Sequence, residues 1–128
     1  MIVDASALCA IALREVDAAL FVRALENADR PAMTAVNLFE ARLVARRHSA
    51  DAELADVLQA ARMRIVACDA ALTEHALNAY VRYGKGNHRA RLNLGDCYAY
   101  ALSASTARPL LYKGADFALT DVVSALKT

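Results

Sequence analysis

The chain has 128 residues, 58% of them apolar and 23% charged, with a formal net charge of +1. That is long enough for one domain with a sizeable core, too apolar for a disordered chain, and too evenly charged for net field alone to announce a polyanionic partner. The longest stretch without Asp, Glu, Lys or Arg runs from Cys97 to Ala107, far short of the roughly 20 residues that a membrane span needs.

The opening Met1-Ile-Val reads as the start of a buried strand, and Asp4 interrupts it at once, so no secretory leader is expected. Ser6 to Leu13 reads as a short helix, and Asp17 as the cap of a second, Ala18 to Asn27. Asp29-Arg30-Pro31 is a break before a second strand, Ala32-Met33-Thr34. Val36 to Arg47 is helical, and Asp51 starts a further helix that runs to about Arg62. Arg64 to Cys68 is a third strand, ending at Asp69, and Ala70 to Tyr83 a helix closed by Gly84. Lys85-Gly86-Asn87-His88-Arg89 is the most loop-like stretch. A helix opens near Leu94-Gly95-Asp96 and runs to about Thr106. Pro109 to Tyr112 is a fourth strand, and Asp116 to Thr120 one turn before a short terminal element from Asp121. Cys9, Cys68 and Cys97 form no CxxC and no zinc spacing; they read as buried thiols of a cytoplasmic protein.

Strands alternate with helices throughout. The expected fold is a single α/β domain over residues 1–128, with a mostly parallel central sheet flanked by helices on both faces. In such a sheet, strand ends and the starts of the following helices share one edge. Asp4 ends the first strand, Glu40 lies near the start of the helix after the second, Asp96 is in the first turn of the helix feeding the fourth, and Asp116 follows that strand. Four carboxylates from four regions are therefore expected on one side.

Each acid also has a plain structural reading. Asp4 suits a helix N-cap, Asp96 a first-turn acid favoured by the helix dipole, and Asp116 a loop acid. Glu40 has only Val36, Asn37, Leu43 and Val44 at helical spacing and no basic neighbour, so it needs a metal, a proton or a polar pocket. Asp69 and Asp121 read as caps. Clustered carboxylates raise one another's pKa unless a cation intervenes. All-oxygen donors suit Mg²⁺ or Mn²⁺, and such a site hydrolyses phosphodiesters.

At these residues the chain resembles the PIN-domain family, and within it the VapC-type toxins of bacterial toxin–antitoxin pairs. Met1-Ile-Val-Asp-Ala-Ser-Ala-Leu8 is similar to the family's first motif and Thr34-Ala-Val-Asn-Leu-Phe-Glu-Ala41 to its second. The most specific part is Ala90-Arg-Leu-Asn-Leu-Gly-Asp-Cys-Tyr-Ala-Tyr-Ala-Leu102 with Pro109-Leu-Leu-Tyr-Lys-Gly-Ala-Asp-Phe117 and Thr120-Asp121. The resemblance spans nearly the whole chain. It implies a PIN-like fold and a metal-dependent ribonuclease in which Asp4, Glu40, Asp96 and Asp116 hold Mg²⁺ or Mn²⁺. It implies that Ser6 supports the first acid and Thr120 the region of Asp116. It also implies cleavage of tRNA or other structured RNA, a homodimer, and a VapB-type antitoxin in a hetero-oligomer. Ala115 stands where relatives often carry an acid or polar residue.

Lys85, His88, Arg89 and Arg91 are candidate RNA contacts beside the helix that carries Asp96; a solvated loop is the plainer alternative. The apolar positions Leu13, Leu20, Phe21 and Leu25 suit either an antitoxin helix or the core. Two other functions compete. An aspartyl phosphotransfer domain, receiver- or dehalogenase-like, fits the α/β pattern, but Ser6 stands where the dehalogenase-like signature needs a second Asp, and Asp69 with Lys113 only loosely imitates a receiver. A catalytically silent PIN scaffold would not need all four acids.

Overall fold

The computed structural model describes residues 1–126. Four short strands, β1 (Ile2–Val3), β2 (Ala32–Thr34), β3 (Arg64–Val66) and β4 (Leu110–Leu111), form one sheet in the order β3-β2-β1-β4. Every pairing between them is parallel. The expected α/β fold is therefore present, and its sheet is parallel throughout these four strands.

The strands alternate in the facing of their side chains, as a pleat requires. Val3, Met33 and Leu111 point into one core with α1 (Ala5–Ala12), α2 (Ala18–Glu26), α3 (Ala35–Arg47) and α4 (Asp51–Ala60). Ile2, Ala32 and Leu110 point into the other with α5 (Ala70–Tyr83) and α6 (Leu94–Thr106). Both faces are covered, as a parallel sheet demands. Helix α3 also packs against α6, so the two layers meet beside the sheet. Phe21 and Leu25 of α2 are buried in the first core, whereas Leu20 is 47% exposed; most of that apolar face is thus core.

Two strands are shorter than the sequence suggests: β3 ends at Val66 instead of Cys68, and β4 spans only Leu110–Leu111. Pro109 cannot donate to a ladder, and Tyr112 leaves the sheet to pack its ring against Phe117, centroids 5.1 Å apart. The terminal element is neither helix nor full strand: Ser124 makes a single parallel bridge to Leu110. Asp69 caps α5, accepting from the Leu72 N–H at 2.9 Å. Asp17 stands at the start of α2 but makes no cap hydrogen bond; its carboxylate is taken by Lys113.

The connections set the site. From β1 the chain winds through β2 to β3 on one side, then returns to lay β4 on the other side of β1. The carboxyl end of β1 is therefore the topological switch point, where the connections diverge and leave a crevice. Asp4 occupies it. No helix among the described residues is long and apolar enough to cross a membrane.

Candidate active site

Asp4 extends the β1–β4 pairing, its N–H donating to the Leu111 carbonyl at 2.9 Å. Its side chain caps α1: Oδ2 accepts from the Ser6 N–H at 3.0 Å and the Ser6 hydroxyl at 2.6 Å. The cap reading of Asp4 is therefore met, at the residue that follows β1. Asp4 is only 5% exposed. Burial pushes its pKa up, against the lowering effect of the Ser6 hydrogen bonds. A buried carboxylate in that condition calls for a proton or a cation.

Glu40 is reached through a ladder at i, i+3 spacing. The Thr34 hydroxyl caps α3, accepting from the Asn37 N–H at 3.0 Å, and itself donates to Asn37 Oδ1. The Asn37 amide then donates to Glu40 Oε1 at 2.9 Å and to the Gly95 carbonyl of α6 at 3.0 Å. Asn37 and Thr34 are fully buried. The second bond explains why α3 and α6 meet here. Gly95 is needed at the crossing, because a Cβ there would collide with the Glu40 carboxylate. Burial raises the Glu40 pKa, the Asn37 bond lowers it, and the charge of Asp4 raises it further.

Asp96 is the third residue of α6 and half of a reciprocal cap: Asn93 Oδ1 accepts from the Asp96 N–H at 2.9 Å, and Asp96 Oδ2 accepts from the Asn93 N–H at 3.1 Å. Its pKa is pushed up to about 7, chiefly by burial, with the Asn93 bond opposing and the charges of Asp4, Glu40 and Asp116 adding. The four acids therefore share one electrostatic neighbourhood. Asp116 is exposed at its rim, before a single 3₁₀ turn (Phe117–Leu119) anchored by buried Phe117. Thr120 closes that turn, its hydroxyl donating to the Phe117 carbonyl at 2.6 Å and accepting from the Val122 N–H at 3.2 Å. It supports the backbone after Asp116 rather than the carboxylate.

Among the described residues, Asp121 makes no side-chain cap hydrogen bond. It accepts from the Tyr100 hydroxyl and pairs with Arg82 Nη1 at 3.2 Å, fastening the terminal segment to α5 and α6. Of the loop cations, Lys85, Arg89 and Arg91 are exposed. His88 shapes the loop: its ring meets Tyr83 edge-on at 5.0 Å and its Nδ1 accepts from the Ala90 N–H at 2.9 Å. The receiver-like pairing is absent, since Asp69 caps α5 while Lys113 Nζ is held by Glu15 at 2.8 Å and Asp17 at 3.0 Å. Sequence reasoning assigned no role to Asn37 or Gly95. The Thr34-x-x-Asn37-x-x-Glu40 spacing was the available signal, since it puts three polar groups on one stripe of α3.

The donor set fits a hard divalent cation. All four groups are carboxylates, and none makes a salt bridge to a basic side chain among the described residues. Ser6, Asn37 and Asn93 each fix one carboxylate through one oxygen. Within the described residues, no three of the acids stand close enough to enclose an ion unaided.

A pH dependence follows. The Asp96 pKa rises from an ordinary 3.8 to about 7 on folding, so between these values the folded chain holds a proton that the unfolded chain has released. This stabilisation is complete below about pH 4 and is lost as pH rises towards 7. Without divalent cations, thermal melts of wild type should fall across that window relative to Asp96→Asn. Parallel curves would contradict the assignment.

The fold defines a class: a doubly wound α/β domain with a buried acid, Asp4, at its switch point. The PIN-domain family profile matches residues 1–123. The chain belongs to the PIN-domain family, in its VapC-type branch. It is 41% identical to Ribonuclease VapC of Mycolicibacterium smegmatis over 127 residues, covering 97% of this chain and 98% of that protein. It is 39% identical to Ribonuclease VapC30 of Mycobacterium tuberculosis over 127 residues, 97% of each. Among solved structures, the fold is similar to that of Mycobacterium tuberculosis VapC20, a sarcin–ricin loop cleaving toxin, with a TM-score of 0.76 at 16% identity over 95% of both chains. It is also similar to a chain of a toxin–antitoxin complex from Klebsiella pneumoniae, with a TM-score of 0.74 at 17% identity, covering 99% of this chain and 98% of that one.

Proposed function

We propose that this VapC-type ribonuclease is a divalent-cation-dependent endonuclease that hydrolyses RNA phosphodiesters as the toxin of a toxin–antitoxin pair. The observation that carries this reading is a set of four carboxylates without a basic side-chain partner among the described residues, with Asp4 buried and Asp96 pushed up to about 7, chiefly by burial and further by the charges of the other three. Asp4, Glu40, Asp96 and Asp116 would hold Mg²⁺ or Mn²⁺. When bound, the ion supplies a polarised water and neutralises charge on the phosphate and the leaving oxygen.

The chain's own residues do the rest. Ser6 fixes Asp4 Oδ2, and Asn37 fixes Glu40 Oε1, so both acids are oriented before RNA arrives. Preorganised charge costs no rearrangement at the moment of reaction. Asp116, exposed at the rim, meets solvent and substrate first. Lys85, Arg89 and Arg91 grip flanking phosphates, a contact that salt weakens, while His88 holds their loop in shape. The substrate is tRNA or another structured RNA. The protein works in the cytoplasm, as a homodimer, and a VapB-type antitoxin restrains it in a hetero-oligomer.

The test uses purified protein freed of any partner, incubated with total RNA in Mg²⁺ or in EDTA. Cleavage in Mg²⁺ that stops in EDTA is expected. Cleavage that EDTA leaves untouched, or no cleavage in either, would sink the reading.

A further inference from the structure

We propose that Lys113 is a positioning residue that ties the buried acid Asp4 to the loop carrying Asp116; this rests on the cation site proposed above. Lys113 is the second residue beyond β4, after Tyr112, and it is fastened at both ends. Its backbone N–H donates to Ser6 Oγ at 2.9 Å, and the Ser6 hydroxyl in turn donates to Asp4 Oδ2 at 2.6 Å. Its Nζ binds Glu15 at 2.8 Å and Asp17 at 3.0 Å. One lysine thus links the exit of β4, the turn between α1 and α2, and the hydroxyl that orients Asp4.

The surroundings show what the link holds. Val16, between the two acids, is fully exposed, so that residue gives the turn no apolar anchor. After Lys113 the backbone turns at Gly114, with φ of 105°, where a side chain would be strained. Gly114, Ala115 and Asp116 are all exposed, and the next buried residue is Phe117. The Asp116 loop is therefore pinned at Lys113 on one side and Phe117 on the other. The first pin is the same residue whose backbone N–H donates to Ser6 Oγ. Loss of the Nζ pairs would leave Glu15 and Asp17 with like charges and no counter-ion, free the base of the loop, and loosen the donor that holds Ser6. Residues that orient ligands in this way typically change metal affinity by 10- to 100-fold.

Mn²⁺ titration calorimetry without RNA tests this, with a metal-free melt alongside. Lys113→Met is expected to weaken Mn²⁺ binding about tenfold, and Lys113→Arg, which can fork to both acids, to restore most of it. Because Lys113 acts through Ser6, adding Lys113→Met to Ser6→Ala should cost much less than the product of the two single effects. Glu15→Gln with Asp17→Asn removes the partners instead of the lysine and should reproduce the loss if Lys113→Met folds poorly. Mn²⁺ binding within twofold of wild type in a folded Lys113→Met protein or in the Glu15→Gln/Asp17→Asn variant, or fully multiplicative effects with Ser6→Ala, would overturn the inference alone. Wild-type protein that binds no Mn²⁺ would overturn the cation site and this inference together.

Discussion

Asp4→Asn is expected to reduce RNA cleavage by on the order of 10³-fold while leaving the fold intact. The reasoning starts from the cap. Asn is as good an N-cap as Asp, so its side-chain oxygen can still accept from the Ser6 N–H and hydroxyl that now hold Oδ2. What the substitution removes is the negative charge, at a residue only 5% exposed. That charge is unwelcome in the metal-free fold, where burial raises the Asp4 pKa. Asp4→Asn should therefore melt at or above the wild-type temperature without divalent cations, even as activity disappears. A site that sacrifices stability for function behaves in this way. Quantified cleavage of a defined RNA, paired with a melt in EDTA, checks both halves. Wild-type cleavage by the variant would contradict the catalytic assignment, and loss of fold would show Asp4 to be structural.

Gly95→Ala gives a second large effect, of opposite logic. On helix propensity alone the change should stabilise α6 by roughly 1 kcal/mol. The crossing decides otherwise, because the new methyl would occupy the space of the Glu40 carboxylate. Glu40 is half-buried and has a way out, so the side chain rather than the helix should move. Its bond from Asn37 would be lost with it. Displacing one catalytic group by about 1 Å costs on the order of 10²-fold in rate. We expect a folded protein with that deficit, measured as kcat at saturating Mg²⁺. Unchanged kcat would mean that the placement of Glu40 against Gly95 is immaterial to catalysis.

These two residues mark what the sequence does and does not disclose. Asp4 is legible because a short apolar run ending in an acid and a small polar turn carries its own local signature. The α6 helix is legible for the same reason: its Asn93 and Asp96 cap reciprocally within four residues, and the structure begins it at Leu94 and ends it at Thr106, as expected. The parallel orientation of the strands follows from alternation, whereas their order, β3-β2-β1-β4, does not. Gly95 is not legible, because its role depends on which turn of α3 crosses α6, a tertiary fact with no local trace. Asn37 is an intermediate case: its spacing to Thr34 and Glu40 is visible, but its burial and its bond to the Gly95 carbonyl are not.

Where local reading misleads, a distant charge has intervened. Asp17 precedes a helix and has the composition of a cap, yet Lys113, 96 residues away, takes its carboxylate. Asp121 likewise precedes the last turn and is taken by Tyr100 and Arg82. At Asp17 a charge-assisted bond to a partly shielded lysine outweighs the modest gain of an exposed cap, and at Asp121 the Tyr100 hydroxyl takes the carboxylate beside the exposed Arg82. Glu40 was singled out by the opposite feature, the lack of any basic residue at helical spacing, and its partner proves to be the amide of Asn37.

The central claim, that four carboxylates at the switch point form one divalent-cation site, is tested most directly by anomalous scattering from Mn²⁺-soaked crystals. The account predicts a manganese peak in the crevice beside Asp4, with the carboxylates of Glu40, Asp96 and Asp116 around it, directly or through water, and no such peak in Asp4→Asn crystals. Manganese bound elsewhere on the molecule, with this crevice empty, would contradict it.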